Sequence, residues 1–152
     1  MTEQGETSHL IVRLAHAHQN AAAALLKNLG LHPGQELVLM RLADEDGQPQ
    51  SRLVRALGLD PSTVSRTLQR LERKGLLVRT PSTADRRAVL VALTPAGRAL
   101  LPEVRRVWDA LDAATVAGLS ERQRAEAARL LRRLTRGLAT APAPGRDGDA
   151  GP

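Results

Sequence analysis

Ser62, Thr63, Arg66, Gln69, Arg70 and Arg73 fall on one arc of a helical wheel drawn through residues 60–74. None of the six is acidic, and every one can donate hydrogen bonds. Ser65 is grouped with them. The small hydroxyls sit at the N-terminal end, where helix amides and the dipole favour phosphate. Arg and Gln farther along have the geometry to read guanine and adenine edges. The chemistry open to this set is recognition of double-stranded DNA, since an ordinary solvated face would mix charge signs. Downstream, Pro81–Arg87 forms a turn with Arg86 and Arg87 at its tip. Arginine inserted into a narrow minor groove is a way of reading groove shape. Asp85 beside them is expected to orient a neighbouring guanidinium and not to touch DNA.

Other chemistry is poorly supplied. There is no cysteine, which excludes thiolate metal sites, disulfides and thiol catalysis. No phosphate-cradling glycine loop, Gly-x-Ser-x-Gly elbow or HExxH motif occurs, so no enzymatic activity is expected. Asp44, Glu45 and Asp46 cluster in a turn where solvation is the default. His16 and His18 point about 200° apart on a helix, and His9 and His16 are separated by about two turns, roughly 10 Å. Neither pair chelates one ion. A metal-responsive regulator is therefore a weak alternative, and no metal or cofactor is expected.

The elements that must position the DNA face can be read from stops and caps. A first helix spans about 8–29 and ends at Gly30. Pro33 opens a second, which ends at the acidic turn 44–47, and a short third helix covers about 50–57 before Gly58. Asp60-Pro61 then supplies a cap and a first-turn proline for a helix running to Lys74, with Val64, Leu68 and Leu71 as its buried stripe. Residues 76–80 and 88–93 read as a two-stranded hairpin. Thr94-Pro95 starts a long helix to about Val116, bent at Pro102, and Ser120–Gln123 is a capping box for a last helix to about Leu138. The order is α-α-α-α-β-β-α-α, a mainly α fold. Two helices joined by a glycine turn and followed by a basic hairpin make a winged helix-turn-helix. Residues 1–7 and 139–152 are polar and rich in Gly, Pro or acid, and are expected to be disordered.

Charge follows the same division. The net charge is +6. Residues 50–91 hold nine basic and three acidic side chains, so the entire excess lies there and the remainder is neutral. A localised basic segment suits a polyanion. No apolar run approaches the roughly 20 residues of a membrane span, and the polar start 1–8 lacks the features of a secretory signal, so the chain is read as cytoplasmic and nucleoid-associated. A winged helix serving only protein assembly would need an acidic or apolar outward face in place of this basic one. The Leu-rich stripes Leu100, Val104, Val107, Leu111 and Leu130, Leu131, Leu134, Leu138 are too extensive for two helices to cover alone, which predicts a homodimer.

The stretch LGLDPSTVSRTLQRLERKGLLVRTPSTADRRAVLVALTPAGRALL (57–101) resembles the MarR family of winged-helix regulators. The matching pieces are LGLDPSTVSR, L-E-x-K-G-L, the D-x-R wing tip (Asp85, Arg87) and L-T-x-x-G-R. The resemblance implies a homodimer with a helical dimerisation lobe (8–32 and 94–138) around a winged helix (33–93). It further implies a pseudo-palindromic operator, with Arg87 entering the minor groove and Asp85 supporting it. It also implies a repressor that releases DNA when a small anionic aromatic effector enters a cleft between lobe and winged helix. Arg13, His16, His18 and Trp108, the last being the only aromatic of the Phe/Tyr/Trp class, are the candidate residues for that cleft. An Arg followed five residues later by His is similar to aromatic-acid-responsive members.

Overall fold

The computed structural model describes residues 5–140. Its elements are α1 (Glu6–Leu26), continued by a 3-10 turn over Lys27–Leu29, then α2 (Gln35–Asp44), β1 (Gln48–Pro49), α3 (Gln50–Leu57), α4 (Pro61–Arg73), β2 (Leu77–Pro81), β3 (Val89–Leu93), α5 (Pro95–Thr115) and α6 (Glu121–Ala139). The expected mainly helical winged helix-turn-helix is present, with one addition. A two-residue strand, β1, pairs antiparallel with β3 through Gln48↔Val91 and Pro49↔Leu90, giving a three-stranded sheet of order β1-β3-β2. The hairpin itself is in register from Leu77↔Leu93 to Pro81↔Val89.

Several expected boundaries shift. Helix α1 begins at Glu6, so residues 6 and 7 of the segment expected to be disordered are helical, and its regular α-form ends at Leu26. Gly34, and not Pro33, caps α2. Helix α5 passes Pro102 without a break. At the far end, Ala139 closes α6, and the rest of the expected C-terminal tail, from residue 141, lies outside the described residues.

The chain divides into two compact units at Ala114/Thr115. The first holds the core. Leu26, Leu39, Leu42, Leu53, Val64, Leu68, Leu71, Val91 and Val104 are fully buried there, and Leu77, Leu93 and Leu111 nearly so. Residue Gly97 fixes how closely α5 approaches the α4–β2 turn. A Cβ at this position would stand 2.0 Å from the backbone oxygen of Leu76. Thr94 completes the junction: its hydroxyl donates to Gly75 O (2.6 Å) and accepts from Gly97 N–H (3.1 Å), while its own N–H donates to Leu76 O (3.1 Å).

The second unit carries α6. It opens on the expected capping box: Gln123 N–H donates to Ser120 Oγ (3.4 Å) and Ser120 N–H to Gln123 Oε1 (2.8 Å). Its Leu130, Leu131, Leu134 and Leu138 are all exposed. Among the described residues no helix is long and apolar enough to cross a membrane.

Candidate nucleic-acid interface

Helix α4 forms because Asp60 supplies an acceptor and Pro61 lacks only a donor that the first turn would leave unused. Val64, Leu68 and Leu71 sink fully into the core. That fixes the opposite arc outward, where Ser62, Thr63, Arg66, Gln69, Arg70 and Arg73 are exposed, with Ser65 half-buried at its edge. Gly58, with φ 61°, turns the chain between α3 and α4 in a left-handed conformation that a Cβ would disfavour.

The N-terminal end of this face is more occupied than its sequence suggests. Asp60 Oδ2 accepts from Thr63 N–H at 2.9 Å, from Thr63 Oγ1 at 3.2 Å and from the Ser62 hydroxyl. These bonds, the Ser62 hydroxyl first, hold the Asp60 carboxyl below the usual aspartate range. Both hydroxyl protons are therefore committed inside the chain, and a phosphate would have to displace Asp60 to receive them. Arg66 is folded back along its own helix, with Nε donating to Ser62 O and Nη2 to Ser62 Oγ, each at 3.3 Å. It must swing outward to reach a base.

Positive charge in residues 50–91 also divides into two groups. Arg52 pairs with Glu45, and Arg79 pairs with Glu72. The remaining arginines, Arg55, Arg66, Arg70, Arg73, Arg86 and Arg87, have no carboxylate partner among the described residues.

At the wing, the turn is built from backbone contacts. Ser82 Oγ accepts from Ala84 and Asp85 N–H (3.2 Å each), and Ala88 N–H donates to Asp85 O at 2.9 Å. Asp85 Oδ1 accepts from the Arg87 backbone N–H at 2.9 Å. It makes no ion pair with a guanidinium among the described residues; its contact with Arg87 is to the main chain.

The model match to the description "MarR family" covers residues 31–89, from the turn before α2 to the first residue of β3. A putative transcriptional regulatory protein for the hcr operon of Thauera aromatica is 32% identical over 127 residues, 84% of this chain and 76% of the relative. The chain belongs to the MarR family. Among solved MarR-like structures, Bordetella bronchiseptica BpsR, described with a mechanism for regulation of its DNA binding by 6-hydroxynicotinic acid, superposes with a TM-score of 0.80. The two are 32% identical, over 86% of this chain and 98% of that one. A cysteine-to-serine variant of MarR from E. coli, complexed with operator DNA, shares the fold at a TM-score of 0.80 and 24% identity, over 88% of this chain and 99% of that one.

The MarR scaffold here contains positioning residues that pattern reading did not find. Glu72 receives Arg79 Nε (3.0 Å), Arg79 Nη2 (2.7 Å) and the Arg79 backbone N–H (3.2 Å), tying the end of α4 to the first wing strand. The Arg79 guanidinium holds the Glu72 carboxyl below the usual range. Asp46 joins three elements: Oδ1 accepts from Gly47 N–H (3.0 Å) and Leu93 N–H (2.8 Å), and Oδ2 pairs with Arg98. Burial works to raise the Asp46 carboxyl, but the bonds from Leu93, Arg98 and Gly47 outweigh it and leave it below the usual range. The only sequence signal for these is the family's own L-E-x-K-G-L and L-T-x-x-G-R pattern, in which Glu72, Gly97 and Arg98 stand.

Of the candidate effector residues, His18 and Trp108 come together, with ring centroids 6.3 Å apart and planes tilted by 56°. Both are half-buried, whereas Arg13 and His16 are exposed.

Proposed function

We propose that two copies of this chain form a dimeric repressor that binds a pseudo-palindromic operator, with α4 of each copy in the major groove and each wing tip in the minor groove. The observation that carries this reading is the set Arg66, Arg70, Arg73, Arg86 and Arg87, all exposed on α4 and the wing without a carboxylate partner. DNA phosphates and guanine edges supply the acceptors that the chain itself withholds. The helical regions 8–32 and 94–138 serve as the dimerisation lobe and 33–93 as the DNA-binding domain. Support for a partner copy comes from Leu10, Ile11, Val12 and Leu14 on α1 and the four exposed leucines of α6, a quantity of apolar surface unusual for a monomer. Such a regulator works on the chromosome, in the cytoplasm.

The effector is a small anionic aromatic acid. The His18–Trp108 contact offers a wall for a ring; Arg13 and His16 are exposed on another side of the same helix and are candidates for a carboxylate apart from that contact. Regulation of the B. bronchiseptica relative by 6-hydroxynicotinic acid is consistent with this class.

The deciding experiment is selection of bound genomic fragments followed by footprinting and sedimentation. Two protected half-sites about 10 bp apart are expected from a dimer. A single half-site bound by a monomer would refute the proposal. Arg13→Ala is expected to bind the operator normally and to lose release by aromatic acids, read by titrating the complex with a panel of them.

A further inference from the structure

At the C-terminal end of α4, Arg70, Arg73 and Lys74 line a concavity of about 530 Å³ together with His32 from the turn before α2 and Gln35, the first residue of α2. No carboxylate lines it. Lys74 Nζ donates to two neutral acceptors, Gly30 O and Gln35 Oε1, the latter at 2.9 Å. Gln35 is only 3% exposed, and its Oε1 also accepts from His32 N–H at 3.1 Å, while its buried Nε2 finds no acceptor among the described residues. Burial, and then the charge of Arg70, lower the Lys74 amine below the usual lysine range. Three cationic side chains, an imidazole and an amide therefore converge where donors outnumber acceptors. The volume falls within the roughly 300–1,000 Å³ typical of small-molecule sites.

We propose that this concavity is an oxyanion site that takes a phosphoryl group. A phosphoryl group brings terminal anionic oxygens, two on a diester and three on a monoester, and the negative charge that Arg70, Arg73 and Lys74 lack. Two sources carry that chemistry: a backbone phosphate of bound DNA, or a free phosphorylated small molecule. Because Arg70 and Arg73 also stand on the proposed DNA face, a free anion here competes with the operator; that clause alone rests on the DNA-binding reading.

The first measurement uses the full chain without DNA, so its result stands whatever the fate of that reading. Calorimetric titration with pyrophosphate at fixed ionic strength is expected to show one saturable site per chain. Lys74→Gln and His32→Ala should each weaken it about tenfold or more, as loss of a charge-assisted partner would. Arg105→Ala, an exposed position on α5 that does not line the concavity, should leave it unchanged. Arg73→Gln, at an exposed position, guards against misfolding of the other variants, and thermal melts check all four. The absence of a saturable site, or equal weakening in Arg105→Ala, overturns the proposal.

The second measurement assigns the source, using operators carrying one neutral methylphosphonate at a time. A position whose neutralisation weakens the wild type, and not Lys74→Gln, assigns the site to a DNA phosphate. No such position, together with pyrophosphate displacing operator from the wild type and not from Lys74→Gln, assigns it to a free ligand.

Discussion

Helices α4 and α6 are written in the same style and end in different circumstances. Both are amphipathic and basic; α6 carries six arginines against two glutamates, more positive charge than α4 itself. Yet Val64, Leu68 and Leu71 of α4 are 0% exposed, whereas Leu130, Leu131, Leu134 and Leu138 of α6 are 41–72% exposed. An apolar stripe states that a face will be buried, not what will bury it. Nor does positive charge by itself mark a DNA face. What distinguishes α4 is its setting: a left-handed glycine before it, a fully sunk inner stripe, and a wing tied to its end by the Glu72–Arg79 pair.

The largest effect expected from this contrast concerns the stripes. Leu68→Ala should cost about 2–5 kcal/mol of stability at any protein concentration, because its burial is internal. Leu134→Ala should instead lower the melting temperature mainly on dilution, because the proposed partner of its face is a second copy. Thermal melts over a hundredfold range of concentration separate the two. Identical concentration dependence in both variants would break the comparison.

Next in size is the junction that sets α4 against α5. Gly97→Ala places a Cβ against the Leu76 carbonyl and should cost on the order of 1–3 kcal/mol by overpacking, measurable by urea denaturation. Wild-type stability in this variant would mean that the turn yields more easily than its backbone contacts indicate.

The basic faces can be compared in the same manner. Arg66→Ala and Gln69→Ala in α4 should relax operator preference, each base contact carrying about 1–3 kcal/mol. Arg73→Ala should reduce the salt slope of binding by about one. Arg132→Ala and Arg133→Ala in α6 should leave both preference and slope as they were. Gel shifts on operator and scrambled DNA at several salt concentrations read all five.

The smallest effect is a pH dependence. Asp46 has a folded pKa below its unfolded value, so its contribution is present above the ordinary aspartate range, about 4, and is lost as pH falls through the lower folded value. Asp46→Asn should therefore flatten the acid limb of the stability curve. Glu36 behaves oppositely. Burial raises its carboxyl, so it favours folding at low pH and loses that advantage as pH rises through the raised value. Glu36→Gln is expected to be more stable than wild type near neutrality, as chemical denaturation would show.

Local signals carried much of this structure into the sequence. Asp60-Pro61, the Ser120–Gln123 box and the 64/68/71 stripe are written within a few residues of where they act, and each element follows them. The remainder depends on distance along the chain. Asp46 meets Leu93 and Arg98 from 47 and 52 residues away, and Lys74 meets Gly30 from 44. No spacing rule reaches that far. Strand β1 is two residues long and exists only because β3 offers it an edge. On the proposed DNA face the residue types can be read from the sequence, but the hydroxyl protons of Ser62 and Thr63 cannot, because a capping carboxylate can recruit side chains as well as amides.

The contact between Gly97 and Leu76 has a mechanical consequence. Helix α5 has 21 residues and is about 31 Å long at 1.5 Å per residue. Its first turn bears directly on main chain at the root of the wing, with no side chain between to act as a cushion. A tilt of about 5° around that bearing moves the far end of a rod this long by almost 3 Å. Trp108 lies two-thirds of the way along the same helix, so a tilt of α5 there would bear on the main chain of the α4–β2 turn at a contact where a methyl group is missing.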